Sequence, residues 1–241
     1  MKNILKKICA DKKELLEVQM KNIPEKELLI RINDIEKPRG FRNAIEENFM
    51  KKRVSIIAEI KKGSPSKGII KENFMAEDIA NQYSLGKATC ISVLTDKKYF
   101  HGSNNDLVKV KKNSNAPVLR KDFILNEYQI LESRALGADC ILLIHGVLKN
   151  ATIKNYIKIA HQLNMDVLVE THSLNELLFW INNNDILLGI NNRNLNNMKV
   201  DINHSVKLIN KIEVKKNIIC ESGISNDKDF NVLIKNNFRT F

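Results

Sequence analysis

SIIAEI, residues 55–60, is the first of seven short β-prone apolar runs that alternate with longer amphipathic segments. The runs start roughly 20 to 35 residues apart, which is the length of one strand, one loop and one helix. The predicted strands are Ser55–Ile60, Thr89–Leu94, Ala116–Leu119, Cys140–Ile144, Val167–Val169, Ile186–Ile190 and Asn217–Cys220. The predicted helices include Glu77–Leu85, Glu127–Leu136, Ile153–Leu163, Leu174–Ile181 and Ile202–Ile212. Repeated strand–helix units of this kind form a parallel sheet that is covered by helices.

Two architectures contain such a sheet, an open doubly wound sheet and a closed (β/α)8 barrel. The visible units nearly reach the eight that a barrel needs, and no glycine-rich dinucleotide fingerprint follows the first strand. Both observations favour the (β/α)8 TIM barrel. Residues 1–52 show helical spacing of apolar residues in a polar background. We therefore predict an N-terminal helical extension over residues 1–52 and a barrel over residues 53–241.

The chain has 39 Lys and Arg residues against 28 Asp and Glu residues, which gives a net charge of +11. Such a balance suits nucleic acid, a membrane surface or an anionic small substrate, and a lysine-rich composition alone would also produce it. The lysines are scattered singly and in pairs, without a dense basic tail or an aromatic-interleaved stripe. We therefore expect a small anionic substrate, no nucleic-acid partner and no membrane partner.

The cellular setting is predicted from the cysteines and the apolar runs. The four cysteines are too far apart in sequence for a C-x-x-C metal or redox site, and three of them lie inside apolar runs. No stretch approaches the roughly 18 apolar residues of a membrane span, and no secretory signal is recognised. The chain is predicted to be cytoplasmic, with reduced thiols.

Charged residues stand at the ends of several predicted strands. Because side chains alternate along a strand, Ile57, Glu59 and Lys61 share one face, and the apolar Ile57 places that face toward the barrel interior. Lys121 projects in the same way at the end of the third strand. The later strands end in a further polar set: Glu170, Asn191, Arg193, Glu221 and Ser222.

The carboxyl ends of barrel strands form the active site in enzymes of this architecture. A pair such as Glu59 and Lys61 can instead be a structural ion pair, but five strands that end in the same manner favour a functional site. Lysines and carboxylates together suit general acid–base chemistry, although a lysine can also form a Schiff base, as in barrel aldolases. His101 and His172 lack partners at metal-ligand spacing and are predicted to be ordinary polar loop residues.

Several segments resemble the signature sequences of the indole-3-glycerol phosphate synthase family, in the order and spacing of that family. They are AEIKKGSPSKG at residues 58–68, ISVLTD at 91–96, YFHGS at 99–103, LRKDFI at 119–124, GINNRNL at 189–195 and ESGI at 221–224. The resemblance covers essentially the whole chain. It implies conversion of 1-(2-carboxyphenylamino)-1-deoxyribulose 5-phosphate to indole-3-glycerol phosphate, with loss of carbon dioxide and water and without a metal or cofactor. Another phosphate-binding barrel enzyme, such as a Schiff-base aldolase, is the alternative.

The resemblance also implies roles for single residues. Lys121 resembles the general acid that protonates the ketose carbonyl, and Glu170 resembles the general base of the later dehydration. Lys61 would hold the substrate carboxylate, with Glu59 fixing the lysines. The implied binding residues are Asn191, Arg193, Glu221 and Ser222 around the sugar, Phe100 and Phe123 on the anthranilate ring, and Ser64 near the phosphate.

The chain departs from the family at its C-terminal end. After Phe241 the family continues into an eighth strand, whose glycine-containing end binds phosphate, and an eighth helix. We therefore expect the eighth βα unit to be missing and two open sheet edges to remain. The resemblance is also compatible with a fusion to, or an association with, phosphoribosylanthranilate isomerase. Arg120, before Lys121, is a smaller departure and is expected to face the helix layer.

Overall fold

The computed structural model describes residues 4–195, 197–213 and 216–241. The strands are β1 (Ile57–Ile60), β2 (Gly63–Ser64), β3 (Gly68–Ile69), β4 (Cys90–Leu94), β5 (Val118–Lys121), β6 (Cys140–Ile144), β7 (Asp166–Thr171), β8 (Leu187–Asn191) and β9 (Ile218–Glu221). The helices are α1 (Ile4–Asn22), α2 (Glu25–Asp34), α3 (Phe41–Met50), α4 (Ala76–Leu85), α5 (Lys97–Phe100), α6 (Asn104–Asn113), α7 (Glu127–Ala135), α8 (Asn150–Gln162), α9 (Leu174–Trp180), α10 (Asn203–Ile209) and α11 (Asp227–Lys235).

The main sheet has seven parallel strands in the order β1-β4-β5-β6-β7-β8-β9, which follows the order of the chain. Each neighbouring pair is joined by a crossover that contains at least one helix. The register places Leu94 beside Lys121 and Asn191 beside Glu221, so the strand ends meet at one edge. The sheet curls into part of a barrel, since Thr240 bridges both Ser55, beside the first strand, and Ile219 of the last strand.

The inner face carries one apolar cluster and the outer face carries another. The inner cluster includes Leu119, Leu142 and Leu168, while the outer cluster includes their sequence neighbours Val118 and Leu143. This alternation is the pattern of strands that are covered on both faces. The amphipathic helices pack against the outer face and close the core.

Two of the three helices that precede β1 lie at opposite ends of the curled sheet. Phe41 and Ile45 of α3 are fully buried in the inner cluster, beneath the strands. Ile4 and Ile8 of α1 line a cavity at the other end, where the strands terminate. The segment before the sheet therefore covers its floor and borders its mouth.

The expected open edges are partly corrected by the structure. Thr240 forms parallel bridges to Ser55 on one side and to Ile219 on the other. The backbone N–H of Ser55 donates to Arg239, and that of Cys220 donates to Thr240. Residues 239–241 thus join the first and last strands at the floor of the sheet, at the position where the eighth strand is expected to begin.

The strand predictions agree with the observed strands to within a few residues, as the shift from Ile186–Ile190 to β8 illustrates. The antiparallel hairpin of β2 and β3 and the short helix α5 were not predicted, because both are built from loop-like sequence. Within the described ranges, the helices include none that combines the length and the apolar character needed to cross a membrane.

Candidate active site

The predicted site residues converge at the mouth of the curled sheet. Those that line a single cavity of about 200 Å³ are Glu59, Lys61, Ser64, Phe100, Lys121, Phe123, Glu170, Asn191, Arg193 and Ser222. Glu221 lines an adjoining cavity that shares Glu59, Lys61 and Lys121 with the first. The strand ends deliver these side chains because every one of the contributing strands points the same way.

Lysines and carboxylates alternate across the mouth. Lys61 pairs with Glu59, and Lys121 Nζ lies 3.7 Å from Glu59 Oε2 and 3.4 Å from Glu221 Oε2. Burial opposes the charge of Lys121, but the carboxylates of Glu221 and Glu59 outweigh it and raise the pKa of the ammonium group. The site therefore holds Lys121 as a charged proton donor.

Burial also raises the pKa of Glu59, but Lys121 and Lys61 outweigh this effect and keep that pKa below its usual value. The Glu59 carboxylate thus remains ionised between two lysines. An ionised carboxylate in this position holds both ammonium groups at the mouth.

Glu170 and Glu221 are buried carboxyl groups with different surroundings. The Asn191 side-chain amide donates to Glu170 Oε1 over 3.0 Å, and His172 Nε2 lies 3.2 Å from the same oxygen. These groups and Lys121 overcome burial and lower the pKa of Glu170 to about 2. Burial, followed by the charge of Glu170, raises the pKa of Glu221 to about 8. The surroundings therefore favour ionisation of Glu170 over ionisation of Glu221.

Gly189 makes room for the Glu221 carboxyl group. A Cβ atom on Gly189 would lie 2.2 Å from Glu221 Oε1, a separation that no side chain tolerates. Among the described residues, this oxygen has no hydrogen-bond partner. The oxygen is thus buried against the sheet without a hydrogen bond of normal geometry, which is unusual for a polar group in a folded protein.

Part of the cavity wall is apolar. Phe100 and Phe123 form an aromatic pair with ring centroids 6.3 Å apart and an interplanar angle of 40°. The residues Ile4, Leu5 and Ile8 of α1 complete this wall. A ligand with one aromatic and one anionic end therefore fits the division of the cavity.

Two loops complete the mouth. Ser64 lies on the hairpin of β2 and β3, next to the lysines of β1. The Arg193 guanidinium donates to the carbonyl oxygen of Met198, which holds the loop after β8 over the cavity. Ser222 adopts a left-handed backbone conformation with φ of 66°, and Gly223 follows with φ of 97°. This turn directs the backbone after β9 toward the cavity.

The sequence interpretation missed several contributors. His172 was predicted to be an ordinary loop residue, yet it contacts Glu170. Its position two residues after Glu170 on the same strand face was the available signal, because side chains alternate along a strand. The α1 residues had no comparable signal, since the docking of α1 depends on the tertiary fold. The expectation for His101 holds, because its side chain is exposed.

Comparisons with known proteins agree with this geometry. A sequence model of the indole-3-glycerol phosphate synthase family matches residues 5–241. The indole-3-glycerol phosphate synthase of Bordetella pertussis is 40% identical over 241 residues, which cover 100% of this chain and 92% of that protein.

Solved structures with similar folds have little sequence identity. A mutant tryptophan synthase alpha-subunit from Pyrococcus furiosus aligns with a TM-score of 0.57 at 12% identity, over 77% of this chain and 85% of that one. A thiamine phosphate pyrophosphorylase from the same organism aligns with a TM-score of 0.54 at 14% identity, over 79% and 85%. These TIM-barrel neighbours support the fold alone. The family match and the close relative show that the chain belongs to the indole-3-glycerol phosphate synthase family.

Proposed function

We propose that Lys121 and Glu170 are the general acid and general base of the reaction that this chain catalyses. The enzyme is a carboxy-lyase of L-tryptophan biosynthesis. It converts 1-(2-carboxyphenylamino)-1-deoxyribulose 5-phosphate to indole-3-glycerol phosphate, carbon dioxide and water. The observation that carries the proposal is the position of Lys121 between Glu59 and Glu221, in the cavity that Phe100 and Phe123 also line.

Ring closure requires a proton on the ketose oxygen. A carbon–carbon bond forms between the anthranilate ring and the carbonyl carbon, and the carbonyl oxygen becomes a hydroxyl group. The Lys121 ammonium group donates this proton, because it is charged and preorganised at the mouth. Phe100 and Phe123 hold the anthranilate ring, since their rings form the apolar wall of the same cavity.

Decarboxylation restores the aromatic ring. The bond to the carboxylate breaks, carbon dioxide leaves, and the bonding electrons return to the ring. Lys61 binds the substrate carboxylate before this step, and Glu59 holds Lys61 in place. The phosphate and the carboxylate together carry about three negative charges, which accounts for the cationic residues at the mouth.

Dehydration completes the indole ring. The hydroxyl group leaves as water with a proton from a lysine of the mouth, and the Glu170 carboxylate removes a proton from the neighbouring carbon. Glu170 suits this role because it is ionised and buried. Asn191, Arg193, Glu221 and Ser222 surround the sugar, and Ser64 lies near the phosphate.

Glu170→Gln tests the assignment of the base. The variant keeps the side-chain volume but has no basicity, so we expect turnover to fall roughly tenfold or more, with little change in KM. A decarboxylated but undehydrated intermediate accumulates, which mass spectrometry detects while indole fluorescence reports the product. Glu47→Gln, an exposed change on α3, is the matched control. Unchanged turnover in Glu170→Gln removes Glu170 from the mechanism.

Borohydride treatment separates this mechanism from Schiff-base chemistry. In the presence of substrate, we expect Lys121 and Lys61 to remain unmodified, because the proposed steps involve proton transfer and ion pairing alone. A reduced covalent adduct on either lysine would instead support an aldolase-type mechanism.

Further proposals concern the domain organisation, the location and the association of the enzyme. We propose that residues 1–52 act as an extension and residues 53–241 as the barrel, and that residues 239–241 mark the eighth strand position. The pairing of Thr240 with both edge strands supports the latter. A cytoplasmic location and a link to phosphoribosylanthranilate isomerase stay predictions of the resemblance.

A further inference from the structure

His172 is held firmly beside Glu170 by groups on other elements. Its backbone N–H donates to Glu176 Oε2 over 2.7 Å, at the start of α9. Its carbonyl oxygen lies 2.9 Å from His204 Nε2 of α10. Its ring nitrogen Nε2 lies 3.2 Å from Glu170 Oε1, which is within ion-pair range although the ring is not aligned for a straight hydrogen bond.

The two buried carboxyl groups of the site are unequally supported. Glu170 has His172 and Asn191 at one oxygen, whereas Glu221 has Lys121 at one oxygen and, in the part of the chain that the structure describes, no hydrogen-bond partner at the other. Two neighbouring buried carboxyl groups do not both ionise readily, because their charges repel in a medium of low dielectric constant. The group with the better partners ionises first and becomes the base.

We propose that His172 is a positioning residue that assigns the role of general base to Glu170 rather than to Glu221. The inference rests on the proposed function, in which Glu170 removes the proton during dehydration. The imidazolium ring stabilises the Glu170 carboxylate and leaves the shared proton on Glu221. His172 itself does not touch the reacting atoms.

The charge of His172 depends on its surroundings. Burial opposes the imidazolium form, but Glu170, Glu176 and Glu221 outweigh burial and raise the pKa of His172. The His204 ring nitrogen Nε2 faces the carbonyl group of His172 rather than its ring. The carboxyl groups around the His172 ring therefore favour its imidazolium form, which is the form that supports an ionised Glu170.

His172→Gln tests the inference through the pH profile of kcat. Without the cation, Glu170 loses its advantage over Glu221 and takes up part of the proton that the two buried carboxyl groups share, so we expect the acid limb of kcat to move upward. Because less Glu170 is then available as the base, we expect kcat at neutral pH to fall several-fold. His172→Lys keeps a positive charge and should return the acid limb toward that of the wild type. His161→Gln on α8 is the matched control, with a wild-type profile expected.

A double-mutant cycle shows whether His172 acts through Glu170. In a Glu170→Gln background, His172→Gln should lower kcat no further, because the carboxylate it supports is gone. Urea unfolding of each variant separates a folding defect from this effect. The inference is overturned if His172→Gln leaves the acid limb in place or lowers kcat equally in both backgrounds. Normal turnover in Glu170→Gln alone would instead overturn the proposed function.

Discussion

Two groups of buried charges lie side by side at the mouth, and consecutive residues of the chain belong to different groups. Lys121 points inward to the catalytic array of Lys61, Glu59, Glu221 and Glu170. Arg120 points outward and belongs to an outer cluster with Asp122, Lys12, Asp96 and Glu132, of which Asp96 and Asp122 also border the cavity. Alternation of side chains along β5 separates the two groups.

The outer cluster is tightly paired. Lys12 Nζ lies 2.8 Å from Asp96 and 2.7 Å from Asp122, and Arg120 lies 2.6 Å from Glu132. The guanidinium group of Arg120 also donates to Thr95, Gln129, Ser133 and Asn104. Burial is tolerated here because each charge has close partners.

Around Lys121 the catalytic array is more loosely paired, although Lys61 and Glu59 contact each other closely. The contacts to Lys121 are 3.4 and 3.7 Å long, and one oxygen of Glu221 has no hydrogen-bond partner among the described residues. The array also has more carboxyl groups than its lysines can match at short range. Loose pairing leaves charge available to a ligand, whereas tight pairing holds α1 to the strand ends. The comparison separates a reactive site from a structural one that has the same residue types.

The largest expected effect is the loss of stability in Lys12→Ala. The change leaves Asp96 and Asp122 buried without their shared cation, and breaking such a pair lowers the free energy of unfolding by about 3–5 kcal/mol. Urea unfolding measures the loss. Lys13→Ala, its exposed neighbour, is the control and should stay within about 0.5 kcal/mol of the wild type. A loss below about 1 kcal/mol for Lys12→Ala would show that the outer cluster is not a structural element that differs from the catalytic array.

Lys121→Ala should lower the activity rather than the stability of the protein. We expect kcat to fall by roughly a hundredfold or more, because the interaction is made mainly in the transition state. The free energy of unfolding should change little, since the side chain lines a cavity and Glu59 keeps Lys61 as a partner. Fluorescence assays and urea unfolding measure the two quantities. Retention of more than a tenth of the activity would show that Lys121 is not the general acid.

The smallest effect concerns the pH dependence of stability. The pKa of Glu221 is raised to about 8, so the folded protein keeps a proton that the unfolded chain releases above its ordinary pKa. Stability is therefore lost as pH rises toward 8, by about 1–2 kcal/mol between pH 6 and 8. Glu170 has a lowered pKa, so its effect on the pH dependence of stability falls below this pH range.

Glu221→Gln should flatten this dependence, because the amide does not titrate. Unfolding by urea at pH 6, 7 and 8, in wild type and variant, measures the difference. Parallel curves for the two proteins would mean that Glu221 is ionised throughout, like the carboxylates of the outer cluster.

Alternation and strand-end position were enough to predict the sheet and the inward side chains such as Glu59 and Lys121. The outward direction of Arg120 followed from the same rule. The ion pairs of Lys12 were not predictable, because α1 meets β4 and β5 only in the tertiary fold. The hairpin of β2 and β3 and the support of Glu170 by His172 likewise depend on contacts between distant elements. Local periodicity reports which face a residue occupies, but it does not report the partner that face meets.

Helix α3 lies beneath the strands and closes one end of the curled sheet. Phe41 and Ile45 fill its bottom, so substrate and products have to pass the rim at which α1 lies. Because substrate and product use the same opening, the indole product has to leave before the next substrate binds. The ion pairs of Lys12 with Asp96 and Asp122 hold α1 at this rim. The border of the opening thus depends on contacts that lie outside the catalytic array.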